Sequence, residues 1–76
     1  FNPVTHLGFG ISKLGYVSLK VYDALGKEVA VLVNESKGPG SYEVEFDGSD
    51  LSSGLYFYSL QIDGKIVETK SMVLLK

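Results

Sequence analysis

The stretch from Gly54 to Ile62 constrains the fold more than any other part of the sequence. Its apolar residues recur at the two-residue period of a β-strand. The residues of this face are Tyr56, Tyr58, Leu60 and Ile62. Leu55 and Phe57 make the opposite face partly apolar as well. The stretch therefore predicts a central strand that is covered on both sides near its start.

The residues that lead into this strand contain a second signal. Tyr56 follows Gly54 by two residues, at the point where a polar connection becomes a strand. This arrangement is typical of the tyrosine corner of immunoglobulin-like sandwiches, in which the hydroxyl bonds to nearby backbone. In antibody domains a cysteine follows two residues later, where this chain has Tyr58. A tyrosine-rich core strand without a corner explains the same residues, and both interpretations stay open.

Four further stretches alternate in the same way, and each predicts a strand with one inward face. The inward residues are Leu7, Phe9 and Ile11; Val17, Leu19 and Val21; Val29, Val31 and Val33; and Tyr42, Val44 and Phe46. Asp23 and Gly26 suit the first and fourth positions of a type I turn, and Asp63-Gly64 predicts a type I′ hairpin. Residues 34–40 read as a polar loop, and a shift of apolar parity predicts a bulge near Lys70-Ser71.

Short strands, frequent turns and no helical periodicity predict an all-β fold. We expect a small antiparallel β-sandwich, immunoglobulin-like, with six or seven strands and a single domain over residues 1–76. Because the chain begins at Phe1 without methionine, we expect it to be a piece of a longer protein.

Composition excludes several classes of function. The chain has no cysteine, so disulfides and thiolate metal sites are absent. A net charge of −2 offers no basic surface for nucleic acid, and no apolar run approaches the roughly 20 residues of a membrane span. We therefore expect no nucleic-acid partner and no membrane insertion.

Few residues suit catalysis or metal binding. His6 is the only histidine and lies on an outward parity, as do Glu43 and Glu45, which we interpret as solubilising charges. Asp47 and Asp50 could hold calcium through oxygen ligands, although a turn requires the same residue types. We assign no catalytic, cofactor-binding or metal-binding residue, and we expect no enzyme activity.

The last five residues, Met72–Lys76, are here called the terminal segment. Apolar residues occupy both of its parities, so a strand that docks on one side leaves the other side exposed. An edge strand of this kind can be read by strand addition. The alternative is that the terminal segment merely completes the core.

Three motifs at the right spacing carry a resemblance to a known family. They are Val21-Tyr22-Asp23-Ala24-Leu25-Gly26-Lys27-Glu28-Val29, Ser53-Gly54-Leu55-Tyr56-Phe57-Tyr58 and the terminal segment. Together with Phe1-Asn2-Pro3, which is similar to the end of the family's opening signature, they resemble the type A C-terminal sorting domains of the type IX secretion system of Bacteroidota. The resemblance covers essentially the whole chain.

The resemblance implies a function that the residues alone do not. Such domains carry an N-terminal cargo through the periplasm to an outer-membrane translocon and its sorting machinery, and the cargo ends at the cell surface or is secreted. The domain is commonly removed after export. Recognition by the translocon is then expected at Lys70, Met72, Val73, Leu74, Leu75 and Lys76, with Asp23, Gly26, Gly54, Tyr56 and Tyr58 as structural motif residues.

An accessory module of a secreted enzyme is the alternative. Such an immunoglobulin-like module binds carbohydrate or braces a catalytic domain. Carbohydrate binding needs exposed aromatic side chains, and the candidates that the predicted core leaves are Tyr16, Tyr22 and Phe57.

Overall fold

The computed structural model describes residues 3–75, which form six strands in two antiparallel sheets. The strands are β1 (Val4–Ile11), β2 (Gly15–Asp23), β3 (Glu28–Lys37), β4 (Gly40–Asp47), β5 (Gly54–Ile62) and β6 (Lys65–Leu74). β1 pairs with β4, and the other strands form a sheet in the order β3-β2-β5-β6. The predicted all-β sandwich is confirmed, with six strands. Its closer resemblance to immunoglobulin domains stays a prediction. Phe1, Asn2 and Lys76 lie outside the described residues.

The core lies between the two sheets and follows from the two-residue period of the strands. Val17, Leu19 and Val21 of β2 are each at most 1% exposed, and the predicted inward faces of β1 and β4 are confirmed. The buried apolar residues are Leu7, Phe9, Ile11, Val17, Leu19, Val21, Val33, Phe46, Tyr56, Leu60 and Leu74.

β5 is the central strand of the larger sheet, as predicted, because it pairs with both β2 and β6. Tyr56 and Leu60 are buried, and Tyr58 and Ile62 are half-buried and pack against the core. Ser59 lies on the opposite face and is nevertheless only 4% exposed. Leu55, at the start of the strand on this face, is 42% exposed, so the predicted cover on both sides near the start is wrong.

The predicted shared face of Val29, Val31 and Val33 is wrong. Val33 is buried opposite Leu19, but Val31 is 47% exposed. The pairing register of β2 with β3 shifts at two places, between Leu19 and Lys20 and again between Val21 and Tyr22. Each shift inserts an extra residue into β3, and one extra residue reverses which face the following side chains occupy.

The predicted loop over residues 34–40 is also wrong. β3 continues to Lys37 and pairs with the start of β2, so that Lys37 lies opposite Gly15. Only Gly38 and Pro39 connect β3 to β4. Polar residues are compatible with this part of the strand because β3 is at the edge of the larger sheet.

The β5–β6 hairpin contains a confirmed turn and a misplaced bulge. Asp63 and Gly64 have φ values of 52° and 83°, and positive φ at both positions is what a type I′ turn requires. β6 then runs without a break through Lys70 and Ser71. The register shift lies instead at Val67, because Leu60 pairs with Glu68 and the next residue, Gln61, pairs with Ile66. The predicted bulge near Lys70-Ser71 is therefore wrong in position.

Candidate recognition surface

The terminal segment continues β6, the last strand of the larger sheet. Among the described strands β6 pairs only with β5, where Tyr56 lies opposite Met72 and Gly54 lies opposite Leu74. The Asp63-Gly64 hairpin positions the strand, because it joins β6 directly to the centre of the sheet. The structure therefore places the described part of the terminal segment, Met72–Leu75, at a sheet edge.

Side chains of the terminal segment alternate between burial and exposure. Leu74 is fully buried and Met72 is half-buried, and both pack with the core residues around Tyr56. Val73 and Leu75 are 49% and 61% exposed. One side of the segment thus anchors it to the sandwich, and the other presents two aliphatic side chains at the surface, as the sequence pattern predicts.

Lys70 has a charged neighbour on its own strand. Its Nζ lies 3.7 Å from Oε1 of Glu68, and both side chains are substantially exposed. An exposed pair of this kind contributes only about 0–1 kcal/mol to stability. The ammonium group of Lys70 is therefore held loosely and is accessible at the surface, on the same side of β6 as Met72 and Leu74.

The hydroxyl of Tyr56 makes the contact that defines a tyrosine corner. It donates a hydrogen bond of 2.7 Å to the carbonyl oxygen of Ser52, four residues earlier. Gly54 lies between them with φ of 152°, a conformation that favours glycine. The corner fastens the polar connection to the start of β5, next to the end of β6.

A second tyrosine makes the same contact at the start of β4. The hydroxyl of Tyr42 donates a hydrogen bond of 2.6 Å to the carbonyl oxygen of Gly38, again four residues earlier. Gly40 has φ of 150°. The sequence carries the signal for this second corner as well, because Gly40-Ser41-Tyr42 repeats the spacing of Gly54-Leu55-Tyr56.

The turn between β2 and β3 is organised by Asp23. Its Oδ1 accepts hydrogen bonds of 2.9 Å from the backbone N–H groups of Leu25 and Lys27. Gly26 has φ of 86° and donates its N–H to the carbonyl oxygen of Asp23. Asp23 and Gly26 therefore shape a turn that holds the side chain of Leu25 at the surface, 94% exposed.

Polar residues considered for metal binding have structural partners. Nδ1 of His6 lies 3.2 Å from Oε1 of Glu43, and Nε2 lies 3.9 Å from Oε2 of Glu45. Oδ1 of Asp47 accepts the backbone N–H of Ser49 at 2.9 Å, which is the role of a turn residue. Within residues 3–75 no three histidine, cysteine or acidic side chains come together in a way that could hold a metal ion.

Aromatic residues considered for carbohydrate binding do not form one platform. Tyr22 and Phe57 lie opposite each other on β2 and β5, and both are half-buried. Tyr16 lies at the other end of β2, about 20 Å away at strand spacing, and its hydroxyl bonds to Asn34. The three rings are therefore not arranged as a continuous stacking surface.

Comparison with known proteins gives one match. The model of a family described as "Secretion system C-terminal sorting domain" matches residues 2–74. No curated protein and no solved structure shows significant similarity to the chain. In the part of the chain that the structure describes, no helix is long and apolar enough to cross a membrane.

Proposed function

The chain belongs to the family of secretion system C-terminal sorting domains, and from this membership we propose that it directs an attached cargo protein out of the cell. The family provides C-terminal sorting signals for type IX secretion and is in general non-catalytic. Membership implies interaction with the type IX machinery, an N-terminal cargo, and export across the outer membrane to the cell surface or the medium. The match over residues 2–74 carries the proposal.

The proposed export route has several steps. The domain travels with its cargo through the periplasm, an outer-membrane translocon reads it, and the domain is removed after export. The domain itself performs no chemistry. Residues 1–76 act as one unit at the C-terminal side of a larger secreted protein.

The translocon reads the terminal segment together with Lys70. Support comes from the exposure of Val73 and Leu75 on a segment that Leu74 anchors firmly. Two exposed aliphatic side chains at the end of an edge strand form a surface that a partner can cover when it adds a strand. Anchoring by Leu74 keeps the signal in a defined orientation, and this lowers the entropy cost of recognition.

A matched pair of valines tests this assignment. Val73 on β6 and Val31 on β3 lie at opposite edges of the same sheet, and they are 49% and 47% exposed. A secretion reporter is fused in front of the chain and expressed in a host with the type IX system. We expect Val73→Glu to leave the reporter in the periplasm and Val31→Glu to allow export, because only the first change charges the proposed recognition surface.

Single substitutions test recognition more specifically than deletion of the terminal segment does. Removing Met72–Lys76 should also block export, but the deletion removes the buried Leu74 and weakens the core. Circular dichroism and thermal unfolding of both valine variants provide the folding control. Normal export of a folded Val73→Glu variant would show that the signal lies elsewhere on the sandwich.

A further inference from the structure

The unpaired edge of β1 carries backbone groups that are ready for pairing. Within residues 3–75, β1 pairs only with β4. The backbone N–H of Gly48 donates to the carbonyl oxygen of Pro3 at 2.8 Å, which makes Pro3 and Gly48 a hydrogen-bonded pair of the antiparallel ladder. Along an antiparallel ladder, hydrogen-bonded pairs alternate with pairs that are not hydrogen-bonded to each other. The residues of β1 that direct N–H and C=O away from β4 are therefore Val4, His6, Gly8 and Gly10.

Beside this edge the larger sheet is incompletely covered. β4 lies toward β3, since Nζ of Lys37 is 4.7 Å from the ring centre of Tyr42. β1 lies on the other side, and an open groove of about 650 Å³ separates the paired ends of β1 and β4, at Ile11 and Gly40, from β5 and β6. The apolar residues of the groove are Ile11, Leu60, Ile62 and Val67, and Glu68 contributes one carboxylate. A further strand beside β1 would extend the smaller sheet over this groove.

The outer face of the smaller sheet indicates what such a strand should carry. Glu43 and Glu45 of β4 lie opposite Gly8 and His6, and their side chains are 69% and 63% exposed. Gly8 and Gly10 place no side chain on this face of β1. A residue paired with Gly8 would lie about 9.6 Å from Glu43, two strand spacings away, and a long basic side chain can reach across the glycine.

We propose that the free edge of β1 binds an extended, basic segment of a partner polypeptide as a seventh strand. Residues of this segment that pair with Gly8 and His6 carry lysine or arginine, because Glu43 lies opposite Gly8 and Glu45 lies opposite His6. A residue of this segment that pairs with Ile11 points inward, and an apolar side chain there enters the groove. Backbone pairing supplies affinity, and the alternate side chains supply specificity. Leu74 does not line the groove and packs instead with Leu7 and Phe46 in the other part of the core, so the groove is distinct from the terminal segment.

Binding of a synthetic peptide tests the proposal. The probe is a short, acetylated and amidated peptide in which arginine alternates with valine, titrated into the 76-residue chain. Nuclear magnetic resonance should show saturable shifts of the amide signals of His6, Gly8 and Gly10. Glu43→Gln combined with Glu45→Gln should weaken binding roughly tenfold, since two exposed ion pairs are lost.

Gly8 offers a matched pair of variants. Gly8→Pro removes an N–H that faces the free edge and leaves the β1–β4 ladder intact, so binding should be lost. Gly8→Ala should bind like the parent, because a Cβ at this position meets nothing closer than the carbonyl oxygen of Tyr42 at 3.7 Å. A peptide that is N-methylated at its arginines makes the same test without changing the protein, and it should not bind.

Several results would overturn the proposal. The first is equal affinity for the methylated peptide or for the Gly8→Pro variant. The second is equally tight binding of a peptide in which glutamate replaces arginine. The third is self-association of the chain that Gly8→Pro abolishes, because this would make a second copy the occupant of the edge.

Discussion

Leu74 and Leu75 are neighbours in the chain but lie on opposite faces of its last strand. Leu74 is 0% exposed and contacts the core, and a Cβ added at Gly48 would lie only 3.1 Å from its side chain. Leu75 is 61% exposed. We expect Leu74→Ala to destabilise the domain strongly and Leu75→Ala to have almost no effect.

The magnitude follows from burial and from position. Replacing a buried leucine with alanine costs about 2–5 kcal/mol in the free energy of unfolding, depending on how far the site collapses. Leu74 is the last residue of the edge strand β6, where the backbone can move into part of the cavity, so we expect about 2–3 kcal/mol. For a domain of this size, that corresponds to a fall in Tm of roughly 10–20 °C. Leu75→Ala should stay within about 0.5 kcal/mol of the parent.

Urea denaturation followed by far-ultraviolet circular dichroism measures both changes. Total stability for a chain of 76 residues is roughly 4–11 kcal/mol, so the Leu74→Ala variant should remain folded in the absence of urea and give a measurable midpoint. Equal losses in the two variants, or a Leu74→Ala loss under 0.5 kcal/mol, would refute the assigned faces. Either result would also contradict the recognition proposal, which requires that the terminal segment is docked on the core.

Two further predictions concern tyrosines and sugars. Tyr42→Phe and Tyr56→Phe should each lower the free energy of unfolding by about 0.5–1.5 kcal/mol in urea denaturation, because each removes one hydroxyl hydrogen bond to a backbone carbonyl. A loss below about 0.2 kcal/mol would show that the corners do not stabilise the domain. The chain should show no saturable binding to common polysaccharides in calorimetric titration, because Tyr16 is remote from Tyr22 and Phe57. Binding that is abolished by changing one of those aromatics would support the accessory-module interpretation instead.

Strands that alternate without interruption could be predicted from the sequence, because the pattern is contained within one strand. Val17, Leu19 and Val21 alternate without interruption, and the structure buries all three. The turn at Asp23 and Gly26 could also be predicted, because its hydrogen bond and its positive φ involve residues that are close in the sequence. The sequence also indicated that the terminal segment has one docked side and one exposed side, because both of its parities are apolar, but it did not indicate which side docks.

The positions at which the pairing registers shift could not be predicted from the sequence, because they depend on contacts between strands. Val31 has the residue type of a core strand, but its exposure depends on its pairing with Lys20 after a bulge, and a bulge belongs to two strands at once. The bulge at Val67 was displaced from its predicted position for the same reason. The free edge of β1 is likewise invisible in the sequence, because an unpaired edge follows from which strands share a sheet, and that is settled by contacts between residues distant in the chain.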